Sequence, residues 1–571
     1  LNDFNEFELA GGSTEQVRIL VLLDRLPGGY TSPENDWSGA RLYEVQADTS
    51  ADQAVKYPPT LDSQPLADLG DVDTGDAQTL IEYLAWGIRT YPAKRYAIAL
   101  GSHGAAWEGV ITDDSADSIL TLPELNTAFS TALKAANREK FDLLINDACL
   151  MASAEYYTAI ASLFEFSLGS AELIVSPALD MTFFTQMLKE TPDIDLRQVG
   201  RRLVDEYITV TAPGKLRSLS AYFTGSLTDM SRFDALHSAL ESFATLVTSR
   251  ADEFVRVLGR ARANTYTYTT FASGTTDIDI GSFMRQVQAL TADDALIAAT
   301  QRVLDALDEV LIYGNAGAVA ASQISHYNIY FPERAADFAA DYLTKSTMPM
   351  WGAMLQSYYN ALASASQDTT GFHPLNAPTV DITGFYPGVA SFNTGLEVTL
   401  DVQGRSISRG GYTVDLQQPD GTARRVFAAP VLAYVPSLAG ELWKAQNYWT
   451  LGFDSRTVRW QASAFALKEA PNTDGNIEYV RQAADGSESY SLEARYRVSE
   501  SDAWVDVTVT FAVDGASEYD LRAETALNRN PETGAVAVVE IPVGAEFQVY
   551  QPLVDADGGV VLTPVNSYRW I

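Results

Sequence analysis

The chain holds one cysteine, Cys149, and four histidines, His103, His237, His326 and His373. A single thiol excludes an intrachain disulfide, and it excludes a zinc site built on two to four cysteines. His103 stands in Gly101-Ser102-His103-Gly104, directly after the apolar run Tyr96–Leu100. Cys149 stands in Asp147-Ala148-Cys149, directly after Phe141–Asn146. If both runs are parallel strands, one delivers an imidazole and the other a thiol to the same edge of a sheet. In open α/β sheets that carboxyl edge is where ligands bind. A thiol beside an imidazole is the pairing of a nucleophile with its acid–base partner. Gly104 lets the backbone approach a substrate closely, and its N–H can face a developing oxyanion. The other three histidines read as structural: His237 in a helical pattern, His326 in a strand-like run, His373 before Pro374. No GxGxxG, P-loop, HExxH or GxSxG motif is present, which removes dinucleotide, nucleotide, zinc-protease and serine-hydrolase chemistry of those types.

These residues need a sheet to position them. Val17–Arg25, Arg95–Gly101, Phe141–Asn146 and Ala171–Ser176 are apolar runs of the kind buried on both faces of a parallel sheet. Helical patterns at 76–89, 123–137 and 150–163 separate them, so an α/β sheet is expected. From about 190 to 312 the pattern is mostly helical, with a strand-like stretch at Ser218–Phe223. Strand character returns at Ala318–Pro332, and Ala335–Ala363 is helix-rich. A polar linker at 364–371 follows. Beyond Pro374 the period becomes two, as in Leu396–Val402 and Val505–Phe511, with turns at Pro419-Asp420-Gly421, Asp474-Gly475 and Asp557-Gly558. That grammar predicts a β-sandwich over 374–571. At the start, Leu1–Leu9 reads as a helix stopped by Gly11-Gly12.

The chain has 571 residues, of which 46% are hydrophobic and 11% aromatic, enough for two large cores. Thirty-nine basic against 74 acidic residues give a formal charge of −35. Such a surface repels phosphate backbones, so no nucleic-acid partner is expected. No apolar run approaches the ~18 residues of a transmembrane helix. Asp113, Asp114 and Asp117 crowd one stretch. They are candidate calcium ligands, since the ion prefers several carboxylates, though the run lacks an EF-hand pattern.

The blocks Ala97–Gly104 and Leu143–Cys149 resemble the paired signature of the caspase–legumain–gingipain group of cysteine peptidases. The strings HGAAWEG, DDS, LTLPEL, DACLMASAEYY, LNDFNEFELAGGS, DIDIGSF and YNIYFP are similar to the clostripain family, over residues 1 to about 365. The resemblance implies a caspase-like three-layer α/β sandwich with a mostly parallel sheet, helical insertion about 190–312, in a peptidase domain spanning 1–365. It implies Cys149 as nucleophile, His103 as acid–base partner, and the N–H groups of Gly104 and Cys149 as oxyanion hole. Asp147 would line the primary specificity pocket and select Arg or Lys, with Asp180 the next candidate; the competing reading of Asp147 is a helix N-cap. No cofactor is required beyond possible calcium. Protein or peptide substrates, a monomeric state, and a secreted, cell-surface or periplasmic location are expected. Two features depart from the family. Ala105 and Ala106 stand where it usually has glycines, and its first strand is expected upstream of residue 1. A binding or adhesion protein on a degraded peptidase scaffold is the alternative those departures favour.

Overall fold

In the computed structural model the described residues are 2–26, 37–48, 61–174, 179–211, 222–268, 276–318, 320–321, 323–333 and 335–366, then 379–386, 396–403, 411–417, 423–430, 454–460, 477–482, 488–499, 501–513, 521–529, 536–539, 541–554 and 560–570. His373 and most of the expected linker lie outside them.

The chain opens with α1 (Asn2–Leu9) and three strands, β1 (Leu20–Arg25), β2 (Gly39–Glu44) and β3 (Ala67–Gly70). They form a separate antiparallel sheet in the order β1-β2-β3. The expectation that Val17–Arg25 joins the main parallel sheet is therefore corrected. All six β1 residues are only partly buried, and apolar content alone did not distinguish a small sheet's strand from a central one.

Next come α2 (Ala77–Thr90), β4 (Ala97–Gly101), the hairpin β5 (Val110–Asp113) and β6 (Ser118–Leu120), α3 (Leu122–Ala136), β7 (Phe141–Asp147), α4 (Ala154–Ile160) and β8 (Phe164–Gly169). Asp76 caps α2 by accepting from Gln78 N, and Leu80, Leu84 and Ile88 form its buried stripe at a spacing of four. Glu124 accepts from Thr121 N at 2.9 Å at the start of α3, which ends on Asn137 in the left-handed region at φ 51. The rings of Phe129, Phe141 and Phe164 pack at 4.9–6.1 Å and fix α3 against β7 and β8. Burying each such ring contributes about 1.5–3 kcal/mol.

The main sheet has five strands in the order β11-β9-β8-β7-β4, where β9 is Thr224–Asp229 and β11 is Leu311–Ala316. The pairs β4–β7 and β7–β8 are parallel, while β8–β9 and β9–β11 are antiparallel. The sheet is thus mixed, not mostly parallel. The helix-rich stretch expected as an insertion itself supplies β9, and β11 begins at its end. Between β8 and β9 run α5 (Met181–Glu190) and α6 (Leu196–Glu206). Two small strands, β10 (Asp277–Asp279) and β12 (Asn328–Tyr330), pair antiparallel. Among the described residues of the expected run Ala318–Pro332, β12 alone is strand, and His326 before it adopts φ 69. Ala171–Ile174 is also not strand; the strand is β8, just upstream. Residues 175–176 of that run, and 218–221 of the expected strand-like stretch Ser218–Phe223, lie outside the described residues.

The elements of the C-terminal part among the described residues are all strands. Among its described residues one sheet has three strands and another nine. In the larger, Glu488–Arg497 pairs along one edge with Val505–Val513. Along the other it pairs first with Ile477–Gln482 and then with Glu546–Val554. Leu527 and Val536 of this region join the buried apolar cluster of the first part.

Candidate active site

Parallel pairing of β4 and β7 sets Gly101 opposite Asp147. His103 and Cys149 each lie two residues beyond that matched pair, so the sheet register alone delivers both to one edge. Gly104 completes the approach. A Cβ built on it would lie 2.1 Å from the Cys149 carbonyl oxygen and 2.8 Å from Met151 Sδ, so only glycine fits. The His loop then closes on itself: Ala105 N donates to Gly109 O at 3.0 Å and Ile111 N donates to His103 O at 3.1 Å. Ala105 and Ala106 are both buried, and Ala106 holds a left-handed φ of 52.

The turn carrying Cys149 is held from several sides. Leu150 sits at φ 66, a strained position for a γ-branched residue, of the sort that costs on the order of 1–3 kcal/mol. Its N–H donates to Glu172 O and Ala152 N donates to Ser170 O. Asn328 of β12 donates Nδ2 to Leu150 O at 2.9 Å and to Ala171 O at 3.1 Å, and its N–H to Ala152 O at 2.9 Å. Helix α4 begins only at Ala154, with Ser153 as its N-cap. Asp147 is therefore not the helix cap.

A second support joins the two loops. Trp107 packs edge-on to Tyr342 at 5.0 Å and against Tyr330 at 5.4 Å. Those two tyrosines stack at 4.6 Å. Buried Glu155, on α4, accepts from Tyr342 OH at 2.7 Å, Tyr330 N at 3.0 Å and Ser153 OH at 2.7 Å. Asn328 and Glu155 are the functional supports that residue chemistry alone missed. The only signal for them was their place inside the YNIYFP and DACLMASAEYY strings.

Cys149 is 5% exposed, and its thiol donates to Ile174 O at 3.5 Å. Burial, with the fields of Glu172 and Asp147 adding, pushes the thiol up to about 12. Burial also holds the His103 imidazole below its ordinary value, against the opposing field of Asp114. In this state both partners are neutral, and no hydrogen bond joins them. A hydrogen bond between the two would require the thiol to leave Ile174 O.

Asp147 is 7% exposed and neither carboxylate oxygen has a hydrogen-bond partner. Burial, and then the field of Asp3, raises it well above the usual carboxylate range. Asp180 is the N-cap of α5, accepting from Phe183 N at 2.8 Å. The three expected calcium ligands are not brought together. Asp113 instead accepts from Thr74, Ser115 and Ala116 N–H groups. Among the described residues no group of three or more His, Cys, Asp or Glu side chains converges as a metal site.

A thiol and an imidazole at the carboxyl edge of two adjacent parallel strands, with a glycine packed against the thiol's own backbone, is the layout of a cysteine hydrolase. The model of the clostripain family, peptidase C11, matches residues 1–372 of the 571, and the chain belongs to that family. No curated protein matches it. Similar solved structures include a secreted C11 cysteine protease from Bacteroides thetaiotaomicron bound to an irreversible peptide inhibitor (15% identity, 62% of this chain and 93% of that one, TM-score 0.44). They also include an inactive zymogen C11 protease from Parabacteroides distasonis (16% identity, 63% and 91%, TM-score 0.42). No helix among the described residues is long and apolar enough to cross a membrane.

Proposed function

We propose that the protein is a cysteine endopeptidase that cuts polypeptides after Arg or Lys through a Cys149–His103 dyad. The observation that carries this reading is the matched register of β4 and β7, which sets His103, Gly104 and Cys149 at one edge beside the unpartnered carboxylate of Asp147. The Cys149 sulfur attacks the scissile carbonyl as its proton passes to His103. The N–H groups of Gly104 and Cys149 take the oxyanion. His103 then protonates the leaving amine, and water hydrolyses the thioester with His103 as base. A buried carboxylate without a partner is costly. A cationic side chain supplies the partner, so Asp147 favours Arg or Lys. The reading includes a secreted or cell-surface location, a caspase-like layering of the first domain and a sandwich packing of the second, as the family resemblance implies.

The state described here also motivates the alternative, a binding protein on a silent peptidase scaffold, because the thiol is capped and neutral. Turnover of matched fluorogenic peptides ending in Arg, Lys, Leu and Asp by the full-length protein separates the two. Hydrolysis of the Arg and Lys peptides, lost in Cys149→Ala, is the expected result. Hydrolysis that survives in Cys149→Ala, or none by wild type, overturns the assignment.

A further inference from the structure

The region beside Cys149 gathers carboxylates from separate elements. Asp147 ends β7 with both oxygens buried and no cationic side chain against them. Asp3 reaches the same place from α1. Its register neighbour makes room: a Cβ built on Gly101, the residue paired with Asp147, would lie 3.3 Å from Asp3 Oδ2. Asp3 and Asp147 interact directly, and each has its carboxyl raised chiefly by burial. One turn along α1, Glu6 accepts from Met181 N at 2.8 Å, beside the cap residue Asp180. Glu206, at the end of α6, adds its field to Glu6. Asp147 also faces Glu6 and Cys149, and the amino group of residue 1 lowers the Asp3 carboxyl against the burial that raises it. Lys189, the basic residue of α5, is held elsewhere, donating to the carbonyls of Ala10, Gly11 and Gly12. Among the described residues none of Asp3, Glu6, Asp147 or Asp180 is in an ion pair.

The fold fixes Asp3 in this position. Phe4 meets Tyr43 edge-on at 4.8 Å. Buried Glu8 accepts from Ser63 N at 2.6 Å and Asp62 N at 3.2 Å. With Glu6 on Met181 N and Lys189 on the last carbonyls, α1 is clamped between the small antiparallel sheet and α5.

We propose that Asp3 is a second carboxylate of the specificity pocket, and that Asp3 and Asp147 share one proton in the empty pocket and release it when a single guanidinium binds between them. Two adjacent carboxylates in a dry site cannot both ionise without a cation. The pair therefore stands as one carboxyl and one carboxylate. A guanidinium brings one positive charge and five donors in a planar fork, enough to engage both groups once the proton has gone to the buffer. An ammonium is a point charge with three donors and spans the pair less well. The proposal rests on the Arg/Lys reading of Asp147 and extends it to α1.

The test uses full-length Cys149→Ala, which binds without turnover, titrated calorimetrically with N-acetyl-arginine amide. N-acetyl-citrulline amide is the neutral control. Runs at pH 6 in two buffers of different ionisation enthalpy count the protons released. About one proton per bound arginine is expected, and it should persist when Glu6→Gln is added. Adding Asp3→Asn should remove the release and weaken arginine binding about 10-fold or more, with a smaller loss for the lysine amide. Asp3→Glu should restore both. If the arginine amide binds but Asp3→Asn leaves affinity and proton count unchanged, the role of Asp3 is overturned and that of Asp147 stands. If arginine binds no better than citrulline, the Arg/Lys reading fails and this proposal with it. Zero proton release before Asp3 is changed overturns the shared proton, whether or not the Asp3 variants fold.

Discussion

Glu6 offers a direct measure of how strongly the α1 contact resists ionisation. Burial raises its carboxyl from 4.5 to about 7; the Met181 N–H opposes this, and the fields of Asp3, Asp180 and Glu206 add to it. In the unfolded chain it titrates at the ordinary value, so the folded protein holds the proton more tightly. The stability this supplies is complete below about pH 4.5 and is lost as pH rises through 7. At about 1.4 kcal/mol per pH unit the gap corresponds to roughly 3 kcal/mol. Partial exposure of Glu6 lowers that to about 1.5–3 kcal/mol. Glu6→Gln keeps an oxygen for the Met181 N–H and cannot ionise. The variant should match wild type near pH 5 and exceed it by about 1.5–3 kcal/mol at pH 8. Urea denaturation of both full-length proteins at the two pH values reads the difference. Stability profiles that run parallel from pH 5 to 8, or a variant weaker than wild type at pH 8, would refute the reasoning.

Three further outcomes follow from the same geometry. Gly104→Ala forces a Cβ to within 2.1 Å of the Cys149 carbonyl unless the loop shifts, so peptide hydrolysis should fall by about 100-fold or more and the melting temperature should fall with it. Wild-type turnover in that variant would remove Gly104 from the oxyanion hole. Asn328→Ala leaves the buried carbonyls of Leu150 and Ala171 without their side-chain donor; it should cost about 2–4 kcal/mol in denaturant titration and slow hydrolysis. The thiol at about 12 predicts that the free protein reacts with iodoacetamide at pH 7 at least about 100-fold more slowly than free cysteine, measured by mass spectrometry. Alkylation at the free-thiol rate would show that Ile174 does not cap Cys149.

The candidate pair was legible because it depends on local facts: two apolar runs, each followed at once by a thiol or an imidazole. The pairing of β4 with β7 turned that adjacency into proximity. The segment Ala171–Ile174 misled for a physical reason. It crosses over the Cys149 turn and is buried on all sides, so its composition matches that of a central strand without any ladder to join. Phe164–Gly169, the strand itself, carries Glu165 and Ser167, which interrupt the apolar run that marks a central strand. The contribution of Asp3 was invisible because it comes from an element about 140 residues away in sequence, docked through Glu8, Phe4 and Lys189. Asn328 and Glu155 were equally hidden. A buried amide or carboxylate that supports two turns has no period and no motif of its own.

The Trp107–Tyr342–Glu155 contact has a kinetic meaning. It ties the loop of His103 to the helix that follows Cys149, so in the proposed dyad the thiol and the imidazole are carried by one mechanical body. Their relative translation and rotation are surrendered when the chain folds, before any substrate arrives. For well-oriented groups this is worth effective concentrations of about 10⁵–10⁸ M. Weakening a tyrosine hydroxyl in that cluster should therefore act on kcat more than on KM, although it touches neither sulfur nor imidazole. The sensitivity of the chemistry to a buried aromatic contact would measure how much of the positioning of the two loops is settled by folding, which leaves only the rotation of the thiol away from Ile174.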